Sequence, residues 1–558
     1  MDSSVNTDTN RILTETHKPR SLRWVATAAV FAVLLLLVCI VQRKAGAQAA
    51  AFGGFPDESA HYLGGLAMRD YVATAFGKNP IAFVRDYHVR LPYFAIGVWP
   101  PFFYFLEGAW MELFGDHRTS VLWMIAVSAA SLATLLFWML RKKIDFWTAA
   151  AGGSAFLLIP VVQWSACLVM ADLTCSLFAL ASIVFFARFV ERGRWQDSTL
   201  FGVLAGFSLL TKNSTYFIVL VPPTVIAACR RWDLLRNRSL WFAPAIAGII
   251  YAPWLVVSRS FLLLGTHGLQ LPGFVGIQRD YVMILWRQMW LLFPAGVAGG
   301  ILLICSKRKM SALAMCMLAV IPAVSVGIFV ARVPVQDRLL MVSYCALLYL
   351  ATELGAALLR PTNRPRVMLA CVLVFGYVNW MNFRRSPAND IHDAVAYIQA
   401  RDGQQPGAVL VPSSSEGPWI AEFAETEPRR PQRIMLRPTK VLGSEDWNGT
   451  NWQPYYNSVD EIRTFFERTP VKYCILVSMP RQRSPREAPD ASIGLRTYPH
   501  DALLEAAVAA NPAQWHLLLE RATASGTSYR IFENLRWTVS SEQKVYAELK
   551  RLWMRYLP

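Results

Sequence analysis

Six ionisable residues stand where long apolar runs give way to polar sequence. Asp57 and Glu58 are adjacent in FPDESAHYLGG (55–65), beyond the apolar run that ends near Gln42. Arg118 precedes a second apolar run, Asp172 sits within CLVMADLTCSLF, Lys212 interrupts LLTKNSTY, and Arg338 follows Asp337 at the head of a late run. A charge at membrane depth is costly unless it is paired or working, so each residue is a functional candidate. Carboxylates beside cations on one face suit a reaction that deprotonates a hydroxyl and releases a phosphate.

Each residue also has a plainer role open to it. Asp57 and Glu58 can serve as a helix N-terminal pair favoured by the helix dipole. Lys212 and Arg338 can snorkel to headgroups, and Arg118 can anchor a span at the interface. Asp172 is harder to explain this way, because the apolar LTCSLFALASIVFF follows it directly. His61 shares a helix face with Asp57, and solvation is its expected role. The eight histidines show no metal-ligand spacing, and the aromatic residues of WPPFFYF read as an interfacial belt.

The elements that must position these residues follow from composition. The 558 residues are 54% hydrophobic and only 17% charged, with a mean hydropathy of +0.32. That balance indicates a polytopic membrane protein. The net charge of +17 does not point to nucleic acid. Residues 384–558 carry 22 Lys/Arg against 20 Asp/Glu, so the excess lies in the short basic clusters between apolar runs. Eight of nine cysteines lie in or beside those runs, and Cys474 alone lies in the polar C-terminal part, without a disulfide partner there.

Apolar stretches of about 17 residues or more recur at 22–42, 119–140, 146–162, 167–190, 239–258, 283–304, 311–331, 338–359 and 366–383. The segment 198–229 has room for two more, broken at TKNS, which gives eleven spans. The first run is too long for a signal segment and is expected to be retained. Basic loops RKK (141–143), ERGR (191–194), RRWDLLRNR (230–238), SKRK (306–309) and RPTNRPR (360–366) alternate with less basic ones. Placing the basic loops in the cytoplasm puts residues 43–118 and the whole C-terminal part on the opposite face. The apolar segment 94–114 is then a helix lying at the outer surface rather than a span. The expected organisation is a cytoplasmic tail 1–21, a membrane domain 22–383 with a large first outer loop 43–118, and an extracytoplasmic domain 384–558. In that last region GAVLVPSS, RIMLRP and VKYCILVS read as strands, while VDEIRTFFERT and HDALLEAAVAANP read as helices, a small α/β domain.

The ordered set of motifs resembles the GT-C glycosyltransferases, a group that includes protein O-mannosyltransferases, the lipid A aminoarabinose transferase and bacterial RgtA/B/C/D-like transferases. FPDESAHYLGGLAMRD resembles their first-loop "DE…Y" motif, and WPPFFYFLEGAWMELFGDHRTS their "HPPLYY…G…R" segment, with Trp99 in place of histidine. LVMADLTCSLFALAS resembles the "D" at the head of a span, and GVLAGFSLLTKNSTYFIVLVPP the "G…GLA…SK" stretch. VQDRLLMVSYCALLYLA resembles "RYLLP", with Leu339 for the tyrosine and Val342 near the proline position. The resemblance covers roughly residues 20–383.

It implies a GT-C-like bundle of about eleven transmembrane helices and an inverting transfer of a sugar. The donor would be a polyprenyl-phosphate-linked sugar, and the acceptor a glycan, lipid or protein of the envelope, on the outer face of the cytoplasmic membrane. The partners are then these substrates and the bilayer, with no nucleic acid. By the same resemblance Asp57 is the general base, Glu58 positions the acceptor, and Asp172 completes the acidic end, through a divalent metal in some relatives. Arg118, Lys212 and Arg338 hold the carrier phosphate. The competing class is a transporter or flippase of lipid-linked sugars, which would favour repeated halves and polar residues at midplane. No repeat is visible, and the polar residues gather at span ends.

Overall fold

Small residues decide where the first helices can approach one another. The computed structural model describes residues 20–94, 97–262, 273–306, 310–387, 390–402, 405–427, 429, 431–445, 452–478, 498–522 and 528–553. Most of the expected cytoplasmic tail 1–21 and most of the basic SKRK loop lie outside the described residues. The helix Glu58–Ala75 (α1) crosses the helix Phe102–Phe114 (α2) at Gly65 and Gly108. A Cβ on Gly65 would lie 2.5 Å from the Glu107 carboxyl carbon, and one on Gly108 would lie 2.9 Å from the Arg69 amide nitrogen. Glycine is what lets the two backbones pack this closely.

Among the described residues six helices are long and apolar enough to cross a membrane. They are Trp24–Ala45, Arg118–Arg141 (α3), Asp172–Arg192 (α4), Arg238–Arg259, Ala312–Ala331 and Asp337–Leu358. The chain is a multi-pass α-helical membrane protein. The expected count of eleven is not reached by length and composition. The segment 146–162 splits into Phe146–Leu157 and Pro160–Ser165. The segment 198–229 becomes Trp195–Thr211 (α5), a 3₁₀ stretch Asn213–Leu220 and Val221–Ala228. The expected span 283–304 is instead shared by Phe274–Met289 and Leu292–Cys305, which meet at 114° and count as a seventh crossing only if taken as one broken span. The turn falls at Trp290, whose φ of +51° is a strained value for a bulky side chain. The last expected run forms the 18-residue helix Arg364–Met381.

At 13 residues α2 is shorter than a crossing requires. Its aromatic residues are not simply a belt. Phe103 and Tyr104 are buried against α1, while Phe105 and Phe114 are strongly exposed.

The C-terminal part builds a five-stranded mixed sheet from Val409–Leu410 (β1), Met435–Leu436 (β2), Tyr473–Ser478 (β3), Trp515–Ala522 (β4) and Ser528–Asn534 (β5). The strand order is β2-β1-β3-β5-β4; β1 runs parallel to β2 and β3, and β5 runs antiparallel to β3 and β4. Ile434, Leu436, Ile462, Phe465, Phe466, Cys474 and Leu504 form part of its core. The helix Glu416–Thr426 (α6) packs against α1, which seats this region on the helix that begins with Glu58.

Candidate functional site

Four of the six residues singled out by sequence meet in one cluster. Asp57 precedes α1 but makes no side-chain cap there, so the N-terminal-pair role does not describe it. Its Oδ2 instead accepts from Arg338 Nη2 at 3.0 Å. Arg338 lies in the 3₁₀ turn Asp337–Leu340, with its guanidinium over the Phe55 ring at 4.0 Å and its Nε donating to Gln336 Oε1 at 2.8 Å. Its Nη1 lies 3.9 Å from Asp172 Oδ2, while Asp172 Oδ1 accepts from Lys212 Nζ at 2.7 Å.

Local chain geometry explains Lys212. α5 stops at Thr211, and Lys212 is extended (φ −159°, ψ 132°) before the 3₁₀ stretch begins. That break turns the ammonium inward, so it does not snorkel. Asp172, at the first turn of α4, is buried, with its charge compensated by two cations. The side-chain exposure is 2% for Asp172 but 29% for Asp57, so only Asp57 is open enough to meet an incoming group.

Glu58 and Arg118 form a second pair. Glu58 is fully buried, and its Oε1 accepts from Arg118 Nε (3.1 Å), Arg118 Nη2 (2.6 Å) and the Val169 amide (3.2 Å). Its Oε2 accepts from the Gly54 amide at 3.2 Å. Arg118 also donates to the carbonyls of Ala47 and Cys167, and its amide donates to Glu425 on α6 at 2.7 Å. The structure does not bring Arg118 into the Asp57–Arg338–Asp172–Lys212 cluster. It joins the first loop, α3 and the C-terminal region behind that cluster.

Two further residues are buried here that sequence patterns did not single out for chemistry. His61 is 1% exposed rather than solvated; its ring stacks on Trp99 (centroids 4.4 Å) and its Nδ1 is 3.0 Å from the Tyr104 hydroxyl. Burial, then the nearby Lys212, pushes the imidazole well below its ordinary pKa, so it is neutral at pH 7. Glu107 is fully buried with neither carboxyl oxygen partnered among the described residues. Burial pushes it well above the usual carboxylate range and keeps it protonated. The available signals were His61 four residues from Asp57 and an acid inside an apolar segment.

No three His, Cys, Asp or Glu side chains cluster as metal ligands among the described residues. Asp172, facing Lys212 and Arg338, is a poor ligand for a divalent cation.

Residues 98–257 match the family model described as dolichyl-phosphate-mannose-protein mannosyltransferase. The fold is similar to ArnT from Cupriavidus metallidurans bound to undecaprenyl phosphate, with a TM-score of 0.58 and 12% identity over 90% of this chain and 97% of that one. It is also similar to the Archaeoglobus fulgidus oligosaccharyltransferase in complex with Zn and sulfate, with a TM-score of 0.50 and 12% identity over 80% of this chain and 67% of that one. Comparison with curated protein sequences gave no match. At such identities the likeness is one of fold, and it bears out the expected GT-C-like helical membrane fold with a C-terminal region that carries a small sheet.

Proposed function

We propose that this chain is an inverting glycosyltransferase that moves one sugar from a polyprenyl-phosphate carrier to an envelope acceptor on the outer face of the cytoplasmic membrane. The observation that carries this reading is the run of alternating charges Asp57–Arg338–Asp172–Lys212, with contacts of 3.0, 3.9 and 2.7 Å. Departure of a carrier phosphate builds negative charge, which fixed, poorly solvated cations stabilise better than exposed ones. Lys212 and Arg338 serve that role. Asp57 takes the proton of the acceptor hydroxyl as the hydroxyl oxygen bonds to the anomeric carbon and the bond to the phosphate oxygen breaks. Attack opposite the leaving phosphate inverts the anomeric centre. When phosphate engages Arg338, Asp57 loses its partner and becomes available as base. Glu58 and Arg118, locked on each other, position α1 rather than touch substrate.

A recess of about 400 Å³ lined by Met283, Ile284, Trp286, Arg287 and Trp290 supports a lipid carrier, since Arg287 reaches Asp337, the neighbour of Arg338, at 3.6 Å. Its apolar lining suits an isoprenoid tail. The outer-face assignment rests on the alternation of basic loops. Mass spectrometry of envelope glycans from cells with and without the protein tests the proposal. A glycan, lipid or protein that lacks one sugar residue in the deletion strain is expected. The same loss with the lipid-linked sugar retained on the cytoplasmic leaflet would instead indicate a flippase, and identical glycosylation would contradict the proposal.

A further inference from the structure

Three buried polar atoms around the charge cluster lack a hydrogen-bond partner among the described residues: His61 Nε2, Arg338 Nη1 and Asp172 Oδ2. His61 stands one helical turn after Asp57, its amide donating to the Asp57 carbonyl at 3.0 Å, and the Asp57 carboxylate meets Arg338 at 3.0 Å, so the imidazole lies beside the same cluster. The tautomer follows from its neighbour. The Tyr104 phenol is the better donor and an imidazole nitrogen the better acceptor, so Tyr104 donates to Nδ1 and the ring proton sits on Nε2. Trp99, stacked on the ring, fixes its plane. The cluster therefore presents two donors, His61 Nε2–H and Arg338 Nη1–H, and one acceptor, Asp172 Oδ2.

That pattern discriminates between ligands. A phosphate oxyanion would satisfy the donors but meet the Asp172 carboxylate. A hydroxyl accepts two hydrogen bonds and donates one, which satisfies all three atoms. The 3.9 Å gap between Arg338 Nη1 and Asp172 Oδ2 is suited to an oxygen bonded to both. We propose that His61, Arg338 and Asp172 together hold one hydroxyl of the donor sugar, which makes His61 a specificity-determining residue. This rests on the glycosyltransferase reading and deepens it: Lys212 and the remaining donors of Arg338 face the phosphate, and the His61 side faces the sugar.

The test compares binding of undecaprenyl phosphate with binding of undecaprenyl-phosphate-linked hexoses and pentoses, each also in mono-deoxy forms, to the purified full-length chain in detergent. The wild type binds the bare lipid and binds one sugar-bearing lipid more tightly. His61→Phe should keep bare-lipid affinity within about twofold and lose roughly tenfold or more for the sugar-bearing lipid. It should no longer distinguish that lipid from the deoxy form lacking the contacted hydroxyl. His61→Gln, which restores an N–H, should recover part of the loss. Tyr104→Phe, which keeps the packing but frees the tautomer, gives a second, milder variant should His61→Phe fail to fold. An equal loss for bare and sugar-bearing lipids, or no loss, overturns the proposal. So does a wild type for which no sugar improves on bare lipid, although carrier binding would then stand. If the wild type does not bind undecaprenyl phosphate at all, the glycosyltransferase reading falls and takes this proposal with it.

Discussion

Asp57 and Arg338 are 281 positions apart in the chain, and their carboxylate and guanidinium meet at 3.0 Å. This contact ties the first loop to the head of a late span and gives Asp57 a partner that a phosphate can displace. Asp57→Asn should lower turnover about 10²–10⁴-fold, because the amide cannot accept the proton. Its oxygen still accepts from Arg338, so thermal stability should remain near wild type. Near-normal turnover would move the base elsewhere, and Asp172 is the other carboxylate of the cluster, with its Oδ2 free of hydrogen bonds.

The two arginines should separate cleanly. Arg338→Ala removes a phosphate contact and should raise the apparent donor KM as well as lower kcat, with a modest effect on folding. Arg118→Met leaves the fully buried Glu58 carboxylate without its cation and should destabilise the protein by about 3–5 kcal/mol. Donor titrations and thermal melts of both variants check this. If Arg118→Met is stable and specifically weakens donor binding, then Arg118 holds the phosphate after all.

Glu107 predicts a pH signature. Its carboxyl is held protonated in the folded state by burial, whereas the unfolded chain releases the proton near the ordinary glutamate value. Above that pH the unfolded state binds fewer protons than the native one, so this group lowers stability as pH rises, by at most about 1.4 kcal/mol per pH unit. Glu107→Gln removes the dependence. Its melting temperature should exceed the wild type at pH 8 and approach it at pH 4.5. A variant equally stable at both pH values relative to wild type would contradict the protonated assignment.

The C-terminal region should influence activity without supplying a charge to the cluster. A Cβ on Gly417 of α6 would lie 2.5 Å from the Tyr93 ring, and the Tyr93 hydroxyl donates to the Pro56 carbonyl, adjacent to Asp57, at 3.4 Å. Gly417→Ala should therefore shift Tyr93 and lower kcat several-fold, with little change in donor binding. Steady-state kinetics with unchanged activity would show that this contact is slack.

Charge at the ends of apolar runs was enough to read Asp57, Asp172, Lys212 and Arg338 from the sequence, because burying a charge demands a reason that local pattern reveals. Pairings were not legible. Nothing in the neighbourhood of Arg118 indicates that its partner is Glu58, sixty positions earlier. His61 and Trp99 looked like a solvated histidine and a belt aromatic, since their stacking depends on how α1 meets the segment before α2. The count of eleven spans is not confirmed for a related reason: hydropathy sees apolar length, whereas the turn at Trp290 and the break at Lys212 are set by tertiary contacts.

The alternation of basic loops predicts that Asp57 and residue 400 lie on the same, extracytoplasmic side. Single cysteines introduced near each position, in a background where native thiols are blocked, should react with a membrane-impermeant maleimide in intact cells. Labelling of one position only would break the topological argument.

The most direct measurement is transfer by the purified, reconstituted protein from an undecaprenyl-phosphate-linked sugar, following the lipid product, the anomeric configuration and the Asp57→Asn variant together. The account predicts one undecaprenyl phosphate released per sugar transferred, with inversion at the anomeric carbon and loss of both products in Asp57→Asn. Movement of intact lipid-linked sugar across the bilayer without release of undecaprenyl phosphate, or full activity in Asp57→Asn, would contradict it.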